Sequence, residues 1–340
     1  MQEKLSKVHE ISEKKEKSEL KIETRLKKLT GHTDTIWTLA KLPNGNIVSG
    51  SRDTTIRIWS VESNECLKVL EGHTDDVLTV SVLPNNDIVS GSSDNTMRVW
   101  SSKTGECLKI LKGHRSWITS IISLQDGRIA SGSHDNTIRI WSLEEEKCVK
   151  TLIGHSDCVS SLCLLPNNEL ASASHDRTIL IWNMKKNLWV SKLKGHYDWV
   201  TAVKFIKSDL IISGSVDKIV CLWSYKLNRR IAIMKGHTDW ITSIDGLPNS
   251  IIASGSLDKT IRLWSYKLTK CLGVLKGHSG GISDIMFIDK NNLASASYDN
   301  TIGIWSLASS KLAKEIKSEP SCYFCPNSDN YPEIEEIEIK

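Results

Sequence analysis

Histidine, serine and aspartate are the side chains of an acyl-transfer triad, in which imidazole takes a proton from a hydroxyl nucleophile and carboxylate orients the imidazole. In this chain of 340 residues they recur together seven times at fixed spacing. The histidines are His32, His73, His114, His155, His196, His237 and His278. The serines that follow them are Ser49, Ser90, Ser131, Ser172, Ser213, Ser254 and Ser295, and the aspartates are Asp53, Asp94, Asp135, Asp176, Asp217, Asp258 and Asp299. Trp59, Trp100, Trp141, Trp182, Trp223, Trp264 and Trp305 close the units, at an interval of 41 residues held without insertion or deletion. A hydrolase needs one exposed nucleophile and one oxyanion hole, and nothing in that chemistry calls for seven copies in register. The pattern reads as architecture, because a period of about 20–50 residues marks a repeat fold.

Other groups that could do chemistry are sparse. Cys322 and Cys325 have the CxxC spacing of a metal site, but a structural zinc takes four ligands and no second pair stands nearby. The expectation is no metal and no cofactor. Phosphate loops, HExxH and paired-carboxylate motifs do not occur. His134 and His175 directly precede their aspartates in a turn and are expected to be exposed.

The elements that must position these residues repeat as well. In the second unit Cys66–Leu70, Val77–Leu83, Ile88–Ser92 and Thr96–Trp100 read as short strands rich in β-branched residues. Pro84-Asn85-Asn86 and Ser93-Asp94-Asn95 between them read as turns. Strands at this spacing predict an all-β fold, in which radial repetition would limit exposed sheet edges. One position in the second strand of each unit stays small, at Thr38, Thr79, Ser120, Ser161, Ala202 and Ser243, until Asp284 breaks the series. An aspartate there should face a narrow or watery place.

The units occupy residues 24–317. Residues 1–23 form a charged segment that could be helical, and residues 318–340 an acidic, proline-broken, flexible tail. Two segments compete to complete the last blade. The outer strands carry an apolar pair three residues apart, such as Leu67/Leu70; Leu26/Leu29 keeps it, whereas the carboxy-terminal candidate offers Ala313/Ile316. Residues 24–29 are therefore expected to close the ring.

Composition excludes several classes. A net charge of +4, spread evenly over the units, is too mild to argue for nucleic acid. No apolar run of about 18 residues and no hydrophobic signal core appear, so membrane insertion and secretion are not expected. Four of the nine cysteines, Cys66, Cys107, Cys148 and Cys271, share one repeat position, which is a packing choice. Reduced thiols suggest a cytoplasmic or nuclear setting.

The Gly-His pairs beginning at Gly31, Gly72, Gly113, Gly154, Gly195, Gly236 and Gly277, with the closing tryptophans, resemble the WD-repeat family. The aspartate of the family's Trp-Asp dipeptide is Ser or Asn here, at Ser60, Ser101, Ser142, Asn183, Ser224, Ser265 and Ser306. The resemblance implies a seven-bladed β-propeller of four-stranded antiparallel blades. It also implies a structural tetrad in each unit: His114 would bond Asp135 and Ser131, and Ser131 would accept the indole N–H of Trp141. Asn228-Arg229-Arg230 is faintly similar to the paired arginines of phosphoinositide-binding propellers, but Ile231 stands where that family has Gly, and a solvated turn is the better reading.

With the scaffold fixed, specificity should lie in residues that vary between units on one face. In the family the inter-blade turn and the tight turn share one rim. Three residues past each repeat His stand Thr35, Asp76, Trp117, Cys158, Trp199, Trp240 and Gly281, and Trp37 lies two beyond Thr35. Just before the turn Asp stand Arg52, Ser93, His134, His175, Val216, Leu257 and Tyr298. Trp37, Arg52, Asp76, Trp117, His134, His175, Trp199, Trp240 and Tyr298 make a partner-binding rim with the composition of an interaction hot spot. Units three, five and six supply three of the tryptophans and leave a gap at Cys158. A rival reading packs these tryptophans as extra core. The function this implies is a non-catalytic scaffold or adaptor, a monomeric propeller within a larger complex, binding a protein or peptide. The alternative is a substrate- or ubiquitin-recognition subunit of a ubiquitin-handling complex, because the Leu-Pro-Asn turns at Leu42, Leu83, Leu165 and Leu247 are similar to those of ubiquitin-binding propellers.

Overall fold

A computed structural model describes residues 26–247 and 251–307. The strands form seven separate four-stranded antiparallel sheets, each a meander from an inner to an outer strand. In the second blade they are Val77–Val82, Ile88–Ser92, Thr96–Trp100 and Cys107–Lys112. The strand Cys66–Leu70, contiguous with this unit in sequence, is the outer strand of the blade before it. Sequence unit and blade are thus offset by one strand.

That offset decides closure. Leu26–Thr30 pairs antiparallel with Thr301–Ser306, with Leu26 opposite Trp305 and Leu29 opposite Ile302. The amino-terminal strand completes the seventh blade, and Leu29 is buried there. Ile316, the CxxC pair and residues 1–23 lie outside the described residues. Among those described, no helix is long and apolar enough to cross a membrane.

The core is seven apolar clusters, each shared by two neighbouring blades. Each closing tryptophan packs against the preceding blade; Trp100, for example, lies with Val48, Ile58 and Leu70 of blade one. The blades approach so closely that a Cβ on Gly132 would stand 2.7 Å from Val159 of the next inner strand. This contact explains the Ser-Gly-Ser run on the second strand of blade three.

The inner strands are also stitched to one another by the small position identified in the sequence. Its hydroxyl accepts a backbone N–H from the next blade at Thr38 (Val80 N, 3.3 Å), Ser120 (Leu162 N, 3.0 Å), Ser161 (Val203 N, 3.2 Å) and Ser243 (Ile285 N, 3.2 Å). Asp284 continues this series across the seam. Its Oδ2 accepts the N–H of Leu39 in blade one at 2.8 Å, and its Oδ1 accepts from Ser243 Oγ at 2.6 Å. Asp284 is half-buried on the inner strand, where desolvation raises its pKa against the pull of Ser243, Leu39 and Lys204. The break in the pattern is therefore a seam contact between the last blade and the first.

Candidate functional site

Each blade holds the same hydrogen-bonded chain. In blade three His114 Nδ1 lies 2.8 Å from Asp135 Oδ2 and His114 Nε2 2.7 Å from Ser131 Oγ, while Trp141 Nε1 donates to Ser131 Oγ at 2.8 Å. The other six blades repeat these links between 2.7 and 2.9 Å. The neutral tautomer that satisfies every atom has Nδ1–H donating to the carboxylate and the serine hydroxyl donating to Nε2. That is the arrangement of a hydrolytic triad, but no substrate can reach it. All seven serines are 0% exposed, and the indole N–H occupies the oxygen a carbonyl would have to approach.

The aspartates do more than hold the imidazoles. Asp135 Oδ2 also accepts the N–H of Arg115, and Oδ1 accepts the N–H and hydroxyl of Thr137. Burial alone would raise its pKa, but the hydrogen bonds from His114 and Thr137 outweigh it and hold the carboxyl well below its ordinary range. Asp53, Asp94, Asp176, Asp258 and Asp299 are held low in the same way. Asp217 is also lowered, although Ile219 stands where the other blades supply threonine. Each blade thus carries an ionised carboxylate tied to two turns.

The proposed rim residues fall into two groups. On one side the rings form a continuous band across four blades. Trp117 meets His134 edge-on at 5.1 Å between centroids, His134 meets His175 at 5.7 Å, His175 stacks flat on Trp199 at 4.2 Å, and Trp199 meets Trp240 at 6.1 Å. The expected gap at unit four is bridged by the two histidines. His134 is exposed as expected, but His175 is half-buried, because its ring lies against the Trp199 indole. Trp117, Trp199 and Trp240 remain 49%, 41% and 42% exposed, so they do not serve as extra core.

On the other side Trp37 is half-buried and edge-on to Tyr298 at 5.3 Å, and its indole N–H donates to Asp76 Oδ2 at 3.0 Å. Arg52 is exposed, 3.8 Å from Asp34. Burial, reinforced by Asp75 and Asp34, raises the pKa of Asp76 in spite of Trp37 and Arg52. Between the groups opens a cavity of about 590 Å³ lined by Trp37, Arg52, Asp76, Trp117, His134 and His175, together with Asp75 and Cys158. Trp199, Trp240 and Tyr298 stand outside this lining.

The family model described as WD domain, G-beta repeat matches the chain seven times, over residues 23–60, 64–101, 105–142, 146–183, 188–224, 228–265 and 269–306. The chain belongs to the WD-repeat family. A comparison with curated proteins gives no match. The matched windows start with an outer strand and end with a closing tryptophan, which is the same one-strand offset that closes this WD propeller.

Two features of the propeller escaped the sequence reading. Cys158, taken only as a gap, is fully buried, and His134, Cys158 and His175 bring their ligand atoms within 4.8 Å of one another. The second is a pairing across strands. Arg57, Arg98 and Arg262 reach Cys66, Cys107 and Cys271 at 3.8–3.9 Å and lie over the Gly of the Gly-His pair. The signal was present: the arginine and the cysteine occur together in units one, two, three and six and are both missing from these positions elsewhere.

Proposed function

We propose that this WD propeller is a non-catalytic interaction scaffold that holds a peptide or a domain of a partner protein on its tryptophan-bearing face. One observation carries the reading: a band of five rings in contact, Trp117, His134, His175, Trp199 and Trp240, starts at the central mouth and runs across four blades, exposed at all but the half-buried His175. Monomeric surfaces seldom leave that much aromatic area open without use, and tryptophans supply much of the binding energy at interfaces. The mouth sets Asp75 and Asp76 against the single arginine Arg52, so a side chain entering it should be basic or neutral. The seven described cysteines are free thiols, which supports a cytoplasmic or nuclear setting.

The test is a comparison of intact chain with a Trp117→Ala/Trp199→Ala/Trp240→Ala variant. Each substitution should weaken a captured partner by about 1–4 kcal/mol, while the melting temperature stays within a few degrees of wild type. A stable triple variant that retains every partner at wild-type strength would remove the reading.

A further inference from the structure

We propose that His134, Cys158 and His175 form a binding site for a single zinc(II) ion between blades three and four, at the edge of the mouth. Their ligand atoms already lie within 4.8 Å of one another. A tetrahedral zinc with bonds of about 2.0–2.3 Å needs them roughly 3.3–3.6 Å apart. Closing that difference takes at most about 1–1.5 Å, which side-chain rotation at the exposed His134 and smaller shifts at Cys158 and His175 would have to supply.

The backbone around the three residues is already fixed. The His134 N–H donates to Trp117 O at 2.9 Å, and the His175 N–H donates to Cys158 O at 3.0 Å. The Cys158 N–H donates to Asp157 Oδ1 at 2.7 Å. The His175 ring is further held by its stack on Trp199. A site preorganised on rigid turns loses little entropy on binding. Sequence supports the coupling: Cys158 replaces the tryptophan that units three, five and six carry, and only units three and four carry histidine before the turn aspartate. A tryptophan at position 158 would fill the space in which the three ligand atoms meet.

The donor set suits zinc. Two imidazoles and a thiolate are borderline-to-soft ligands, which disfavours magnesium and calcium. With three protein ligands, the fourth position opens on the cavity that all three residues line. Burial and the neighbouring His134 hold His175 below its ordinary pKa, against Asp157 and Asp198, which disfavours the imidazolium that could not ligate. Burial, with Asp157 and Asp135, pushes the Cys158 thiol up to about 12. Zinc must therefore displace the thiol proton: the S–H bond breaks, the sulfur keeps the electron pair for the metal, and the proton passes to buffer. The site shares His134 and His175 with the aromatic band, but its test reads the metal alone and needs no partner.

The full chain, stripped with a chelator and kept reduced with a phosphine, is titrated with cobalt(II) and then with zinc(II). One equivalent of cobalt should give thiolate-to-metal charge-transfer absorption, and one equivalent of zinc should abolish it. Cys158→Ser should remove the band. His134→Ala, an exposed change that should leave the melting temperature unaltered, should weaken cobalt at least tenfold, and it decides the matter if Cys158→Ser fails to fold. A Cys322→Ser/Cys325→Ser variant should bind as wild type. Absence of the band, its survival in His134→Ala at full affinity, or its loss with Cys322 and Cys325 would each overturn the site.

Discussion

At the scale of the residue, the four tetrad members were legible because seven independent copies agree on type and spacing. Repetition argued against a nucleophile before any burial was known, and the closed serine gives the physical reason. Removing one member should be felt as stability, not activity. Asp135→Ala leaves His114 Nδ1, the Arg115 N–H and Thr137 short of an acceptor in a largely buried place, and should cost about 1–3 kcal/mol in urea unfolding. A loss near zero would mean the turn is not held by this network. A second residue effect concerns the turn itself. The residue after each tetrad aspartate is left-handed, at φ between 64° and 69°. Asparagine fits this conformation, whereas Thr54, with its branched Cβ, is strained at φ 68°. Asn136 and Asn300 also donate across the blade boundary, to Ser156 O and Thr33 O. Thr54→Asn should relieve the strain and reach Thr74 O in the same way, raising stability by about 1 kcal/mol. An unchanged or lower urea midpoint would show that Thr54 is not strained.

At the scale of the element, strand order and turn positions followed from β-branched runs and from asparagine-containing turns. Three of the four strand spans read from the second unit agree with the structure to the residue, and the inner strand ends one residue early, at Val82. Closure was legible for a simple reason: Leu26/Leu29 keeps the apolar spacing that an outer strand needs to meet Trp305 and Ile302. The partner of Asp284 was not legible, because Leu39 N is 245 residues away and a backbone donor leaves no mark in sequence. Leu29→Asp would bury an unpaired charge beneath the closing strand and should destabilise by roughly 3–5 kcal/mol. Ile316→Asp should do less, and thermal melts of the two variants compare them directly. The reverse order would mean that the carboxy-terminal segment completes the blade instead.

At the scale of the whole molecule, the repeat announced the number of blades and the place of the core, but not how the rim works. The bridge from His134 to His175 joins equivalent positions of neighbouring units, 41 residues apart, and a contact that only two of the seven units can make has no further internal copies to reveal it. Repetition nonetheless has one global consequence that no single blade shows. Seven aspartates have folded-state pKa values held below the unfolded value, chiefly by histidine hydrogen bonds acting against burial. An acid whose pKa is depressed on folding contributes stability above its unfolded pKa, near 4, and loses it as pH falls toward the folded value. Asp284 and Asp76 act in the opposite sense, because their raised values weaken the fold as pH rises above about 4. The seven outnumber the two, so the urea midpoint should fall steeply below about pH 4 and vary much less between pH 5 and 7. An Asp135→Asn/Asp176→Asn variant, which removes two of the seven carboxylates, should be less stable at pH 7 yet lose less on going from pH 5 to pH 2.5. Equal acid slopes for wild type and variant would show that the tetrad carboxylates are not what acid titrates.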